Sequence, residues 1–582
     1  MAEFPNPQQQ HQEPGTERRL LLAFTLTFLI IIGSQWLIKK YYPQPAQPEP
    51  TPAQTAPTPQ PNPAAGTAAP AVAAPASVPS KQASAEREIV VENGLYRIRF
   101  SNRGGVVKSW VLKKFDDDKG QPLELINAAS EKWGFPLSLY TYDEGLRQKL
   151  ASALYVTTDS NTLNAPADIT FEFADAEVVA RKTFHFDHSY AVRIEASVRY
   201  KGADVQAYPS WPASFGDETA ASAYAAQQVE YQLSDKIERL AAKKVSGGNT
   251  LTGPLYWAGP TERYFAAVFL PDDPQNAAMV TLHHQLDAPR DAAKPNDTVK
   301  VSLLGAAVGD RRGPTVERIY VGPRAIDTLK EIPVSTSLGQ KRDLSGLVNF
   351  GFFEIIAKPL FYWLRWTYNT MVHNWGWAIV LQTIIINLVL LPLRLPQMKS
   401  GLKMQKLAPQ IKAINKKYEK YGMRDTEKQQ EKQRETMALY KREGVNPVGG
   451  CLPMLIQMPF LFAYYSMLGA VIDLRHAPWA YIRDLSSPDP WYLLPIGIVA
   501  TMFVVQRMTP QGMVDPAQQK MMNIFMPMML GFVSLNLAAG LCLYWSVGNL
   551  ISIVTQLAMN RTELGREVRE LHAKREARKK DK

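Results

Sequence analysis

Hydrophobic positions along the chain follow three rhythms. Residues 20–38 form one apolar run, with Arg18 and Arg19 before it and Lys39 and Lys40 after it. The run is longer than the apolar core of an ordinary signal peptide, and no small-residue cleavage pattern follows, so an uncleaved signal anchor is expected. From about 86 to 335 the pattern shortens to alternating segments, such as 89–100 and 191–200, broken by Gly, Asp and Pro clusters. This predicts a largely antiparallel β-domain, a sandwich. From 345 onward long apolar runs return, separated by basic stretches.

Residues 375–394, WGWAIVLQTIIINLVLLPLR, organise this last part. About 19 apolar residues at ~1.5 Å each suffice to cross a ~30 Å hydrocarbon core. Yet the run carries Gln382, Thr383 and Asn387, and at ~100° per residue Thr383, Asn387 and Arg394 share one helical face. An unsatisfied amide facing lipid costs several kcal/mol, so this stripe meets protein or water. Either the groups bond to neighbouring helices, or they line a wet cavity. Polar residues recur in later apolar runs, with Gln457 in one and Ser546, Asn549 and Gln556 in another, which favours a shared cavity.

The full map has a tail at 1–18, the anchor at 19–38, a Pro-rich linker at 39–85 and the β-domain at 86–335. An amphipathic helix at 345–373, with Glu354, Lys358, Arg365 and Asn369 near one period, is expected in the membrane interface. Further spans follow at 375–393, 447–470, 491–507, 522–538 and 541–560, with a helical hairpin at 394–445, an outer loop at 471–490, an inner loop at 508–521 and a basic tail at 561–582. The expected class is thus a multi-span α-helical membrane protein with six spans and a large extracytoplasmic β-domain.

Charge gives the orientation. The net charge of +11 over 582 residues is concentrated beside the apolar runs, which points to cytosolic membrane-proximal loops before it points to nucleic acid. The hairpin holds Lys403, Lys406, Lys412, Lys416 and Lys417, so it and both termini belong in the cytosol and the β-domain outside. The only two cysteines, Cys451 and Cys542, lie in apolar runs and imply no disulfide framework.

Catalytic chemistry is not indicated. HisPheAspHis at 185–188 sits between two β-like runs and reads as a hairpin turn rather than a metal site. No carboxylate pair, nucleophile elbow, HExxH or phosphate-binding glycine loop stands out, so no catalytic residue, metal or cofactor is expected. A secondary transporter is the alternative, but the spans show no inverted repeat and no intramembrane acidic residue for ion coupling.

AsnTrpGly at 374–376, AlaLeuTyrLys at 438–441, the run NPVGGCLPMLIQMP at 446–459, AspPro at 515–516 and GlnGlnLys at 518–520 resemble the YidC-type membrane protein insertases over essentially the whole chain. The anchor, linker and outside β-domain resemble the Gram-negative form, in the bacterial inner membrane. The resemblance implies a β-supersandwich, a five-helix insertase core and a hydrophilic groove open to cytosol and lipid. It also implies work on nascent membrane proteins, alone or with the Sec translocon, and ribosome contacts through the basic segments, without sequence-specific nucleic-acid binding. Groove candidates are Gln382, Thr383, Asn387, Arg394, Gln457 and Asn549. One departure matters: Asn387 stands where the family usually has a groove arginine.

Overall fold

The computed structural model describes residues 80–157, 160–216, 221–290, 296–334, 342–419, 421, 425–444, 452–508, 516–568 and 570; the expected anchor at 19–38 and most of the linker lie outside them. Strands dominate the first half. A ten-stranded sheet runs from Lys236–Ala241 through Gln228–Leu233, Leu255–Thr261, Phe265–Pro271, Thr315–Pro323, Ala191–Tyr200, Val178–Phe186 and Ala167–Ala174 to Val156–Thr157, with Ala203–Asp204 attached beside the path. Two five-stranded sheets accompany it, and every pairing is antiparallel except Glu88–Glu92 with Thr162–Asn164. Alternation does its usual work: in Tyr96–Ser101 the residues Tyr96, Ile98 and Phe100 point inward and are fully buried, beside Trp110 and Trp211. HisPheAspHis forms the expected hairpin, with Val192 opposite Phe186 and Asp187 Oδ1 accepting from the Ser189 amide at 2.7 Å.

Two fold expectations are corrected. The sheets are open, each ending in edge strands, and do not form a closed β-supersandwich. Alternating sequence specifies which side of a strand is buried but not closure, and short edge strands such as Val156–Thr157 and Pro122–Glu124 stop the ladders. The six spans are also not found: among the described residues two helical stretches, Trp375–Met404 and Ala539–Asn560, are long and apolar enough to cross a membrane. Leu493–Met508, with 16 residues, reaches only ~24 Å at ~1.5 Å per residue. An apolar run in sequence measures composition; the helix built from it can be shorter.

The second half consists of helices α1 (Glu354–Thr367), α2 (Trp375–Tyr418), α3 (Thr426–Arg442), α4 (Leu452–Ala470), α5 (Leu493–Met508), α6 (Pro516–Ser534) and α7 (Ala539–Asn560). Helix α2 is a single element of 44 residues that carries the apolar run directly into the basic one, through Pro392, Pro396 and Pro409. Its basic end pairs with α3 through a small core of Met404, Leu407, Ile411, Leu439 and Tyr440. Between α4 and α5, Asp489 accepts from the Leu494 amide at 2.7 Å and from the Tyr481 hydroxyl at 2.8 Å, fixing the start of α5.

Among the described residues of the β-domain, one buried carboxyl has no hydrogen-bond partner. Glu317 is fully buried, and among the described residues neither of its oxygens has a hydrogen-bond partner. Burial, with Asp272 nearby, pushes its pKa well above the usual carboxylate range. The folded state therefore keeps this proton while the unfolded chain loses it, so stability falls as pH rises from the ordinary carboxylate range toward the raised value. Glu317→Met should stabilise the domain by about 1–3 kcal/mol, with a gain that grows between pH 5 and pH 8. Thermal unfolding of the full-length protein across that range measures it, and a pH-independent difference would count against the buried-acid account.

Candidate functional site

The start of α2 is set by the AsnTrpGly triplet. Asn374 caps the helix by accepting from the Trp377 amide at 3.1 Å and donates to the Pro478 carbonyl at 3.0 Å. Trp375 stacks on Tyr368 with centroids 4.2 Å apart. Gly376 is required because any Cβ there would overlap the Trp479 indole. The triplet thus fixes the axial position and rotation of α2, and with them the polar stripe further along.

The stripe divides into two parts. Gln382 and Thr383 are fully buried and satisfied: Gln382 donates to the Leu360 carbonyl of α1 at 3.0 Å and accepts from the Tyr464 hydroxyl of α4, while Thr383 donates to the Ile379 carbonyl at 2.6 Å. They tie α2 to α1 and α4. Asn387 turns differently. Its amide donates to the Thr383 carbonyl at 2.8 Å, and its Oδ1 accepts from Arg394 Nη1, also at 2.8 Å. Arg394 lies seven residues on along α2, and its half-buried guanidinium reaches back along the helix instead of outward. A cation is thereby held beside Asn387, roughly 18 Å from the start of α2 at ~1.5 Å per residue.

Two further helices bring polar groups into the bundle. Asn549 of α7 donates to Thr501 Oγ1 of α5 at 3.0 Å. Tyr544 of α7 stacks on Tyr464 with centroids 4.0 Å apart. Among the described residues the Tyr544 hydroxyl, Ser546 Oγ and Gln506 Oε1 are buried without a hydrogen-bond partner. Three such atoms within one apolar bundle carry a high free-energy cost unless water or a polar chain reaches them. The structure does not join all the candidates: Gln382 faces α1 and α4, whereas Asn549 pairs with α5. Gln457 falls within α4, and its side chain lies outside the described residues. Thr501 and Tyr544 were missed in the sequence; a lone threonine in an apolar run and a tyrosine near a helix start both read as ordinary lining, and only the partner helix distinguishes them.

Among the basic hairpin candidates, Lys406 pairs with Glu567 and Lys417 with Glu435, the latter at 3.0 Å. Lys403, Lys412 and Lys416 are exposed and have no ion-pair partner among the described residues. No group of three or more His, Cys, Asp or Glu suited to a metal occurs among the described residues.

Comparison with known proteins bears on both halves of the chain. The 60Kd inner membrane protein family matches residues 366–566, and the YidC periplasmic domain family matches residues 88–363. The membrane protein insertase YidC of Geobacter metallireducens is 31% identical over 94% of this chain and 98% of its own length. That of Geobacter sulfurreducens is 33% identical over 80% of this chain and 85% of its own. A solved active YidC insertase with its first transmembrane domain resolved aligns over 82% of this chain and 94% of its own, at 19% identity and a TM-score of 0.34, too loose an agreement to bear on the fold. Identity at this level along nearly the whole length, with family matches over residues 88–363 and 366–566, means that the chain belongs to the YidC family of inner-membrane protein insertases.

Proposed function

We propose that this protein inserts and folds inner-membrane proteins through a hydrophilic groove between α2, α5 and α7, acting alone or with the Sec translocon on nascent chains. Asn387, Arg394 and Asn549 line the groove, and Gln382 and Thr383 brace its wall. The task is to lower the cost of moving a short polar segment through hydrocarbon while the attached apolar segment partitions into lipid. No covalent step is needed, and the chain carries no Walker motif, so partition and the membrane potential supply the drive. Excess Lys and Arg place the end of α2, α3 and both termini in the cytosol and the β-domain outside, in a multi-pass arrangement. Exposed Lys403, Lys412 and Lys416 then face the ribosome, with Lys406 and Lys417 partly neutralised beside them.

The observation that carries this reading is the Arg394–Asn387 hydrogen bond. Asn387 can donate and accept but cannot attract a carboxylate as an ion does. Arg394, folded back onto it, returns a positive charge to that depth, in a hydrated groove where charge is far cheaper than in lipid. At an effective dielectric between water and a protein surface, one such charge near a carboxylate is worth roughly 1–4 kcal/mol. Arg394→Gln should therefore lower insertion of a client with an acidic translocated tail by about fivefold or more, leave a neutral-tail client within about twofold, and lose the difference at high salt. Reconstituted insertion of the matched pair at equal protein levels tests this, with Asn387→Arg in the Arg394→Gln background expected to rescue the acidic client. An equal fall for both clients would mean that Arg394 is an interfacial anchor.

A further inference from the structure

A cavity of about 530 Å³ lies where the β-domain meets the helices, between the last turn of α4, the α6–α7 turn and the loop that carries Arg263. Two arginines reach it, with different surroundings. Arg324 is paired: it bridges to Glu230 at 2.9 Å and donates to the Glu262 and Leu347 carbonyls. Arg263 donates only to backbone carbonyls, Gly469 at 3.2 Å and Ser486 at 3.5 Å, and lies over the Tyr264 ring at 5.0 Å. Among the described residues no carboxylate pairs with it, and its Nη1 has no acceptor. The cavity therefore holds a formal positive charge that no described carboxylate pairs with.

The surroundings define the ligand. Leu537 and Leu541 give the cavity an apolar side. Beside it, Phe462 and Tyr465 of α4 and Phe532 and Val533 of α6 are 43%, 54%, 71% and 48% exposed, so both flanks present hydrocarbon-compatible surface. Trp377, Trp491 and Tyr492, each at least half exposed, stand at the same end of the bundle, as aromatic residues do at headgroup level. A guanidinium that no described carboxylate pairs with, beneath an apolar rim at that depth, fits an amphiphile with an anionic head.

We propose that this cavity binds the phosphate headgroup of an anionic phospholipid from the outer leaflet, with Arg263 as its cation and the acyl chains lying on the exposed faces of α4 and α6. The assignment rests on the membrane placement proposed above and adds a structural lipid between the β-domain and the helices. Gly469 supplies a variant that leaves Arg263 in place: it lines the cavity, its backbone is ordinary helix, and a Cβ there meets nothing within 4 Å, so Gly469→Leu adds apolar bulk at the cavity wall and keeps the Gly469 carbonyl. Lipid retention on the full-length protein in detergent is read by native mass spectrometry with phosphatidylglycerol, phosphatidylcholine or inorganic phosphate. The wild type should retain phosphatidylglycerol at least tenfold more than phosphatidylcholine, and inorganic phosphate should not displace it. Both Gly469→Leu and Arg263→Gln should lose that preference. Equal retention of the two lipids, undiminished preference in Gly469→Leu, or displacement by inorganic phosphate would overturn the proposal. Discrimination between acidic and neutral clients, which reads the groove, is measured separately, so failure of one reading is distinguishable from failure of the other.

Discussion

Lys182→Met is expected to destabilise the β-domain by about 3–5 kcal/mol, a large fraction of a domain's ordinary stability. Lys182 is fully buried, and its Nζ donates to three carbonyls: Gly104 at 2.8 Å, Gly105 at 2.9 Å and Leu137 at 2.8 Å. All three acceptors have left-handed backbone, with φ of 72°, 54° and 63°, and Leu137 pays a steric cost for it that glycine avoids. Burial pulls the amine down to about 7, yet three acceptors match three N–H bonds, which only the ammonium carries. The lysine thus joins two turns through their carbonyls, and methionine would fill its volume while orphaning all three. Thermal or denaturant unfolding of the full-length protein measures the loss. A change below about 1 kcal/mol would mean that water replaces the ammonium at little cost.

A comparable loss, about 3–5 kcal/mol, is expected from Glu230→Ala, but its effect should appear at the junction with the helices. Glu230 is fully buried and accepts from Arg239 Nε at 3.0 Å, Arg324 Nη2 at 2.9 Å and Thr261 Oγ1 at 2.8 Å. The two arginines pass the connection on, Arg239 to the Gly346 carbonyl at 2.7 Å and Arg324 to the Leu347 carbonyl. Residues 344–347 lead directly into α1, which is also tied to the β-domain by the Arg365–Asp327 pair and by Lys330 donating to Tyr362 at 3.0 Å. Without its carboxylate the buried Arg324 guanidinium is uncompensated, and the short linker to α1 loses its two clamps. Hydrogen exchange should then rise over residues 344–353 before it rises in the strands. Unchanged protection there, with a lowered melting temperature, would place the network inside the β-domain alone.

Features carried by local periodicity were legible in the sequence, and features that depend on what faces what were not. The apolar run at 375 was readable, as was the shared face of Asn387 and Arg394, because both follow from helical geometry. The continuation of α2 to Tyr418 was not, because the expected span ends at 393, where apolar residues give way to basic ones, although a proline inside a helix removes only one N–H donor and bends the axis. Alternation revealed the strands, but Lys182, Glu230 and Glu317 occupy inward positions that look like ordinary surface charge when the opposing layer is unknown. The six-span count failed because hydropathy sums apolar residues without fixing the length of each helix. In the site, Gln382 and Asn387 looked equivalent along one run; the Tyr464 hydroxyl and the Leu360 carbonyl, both distant in sequence, separate a residue that braces neighbouring helices from one that holds Arg394.

Helix α2 also has a mechanical property. From Pro392 to Tyr418 it forms an arm of ~39 Å at ~1.5 Å per residue, with its outer end pinned by Asn374 and the Trp479 contact. Pro392 is a natural fulcrum, since the backbone bond it lacks softens bending there. A deflection of about 10° at that point would sweep the tip through ~7 Å. Asn387 stands on the fixed side and Arg394 on the moving side, so a load on the tip is geared down to a small displacement of one guanidinium against one amide. Displacement of the basic end of α2 and the contact of Arg394 with Asn387 are two ends of one lever.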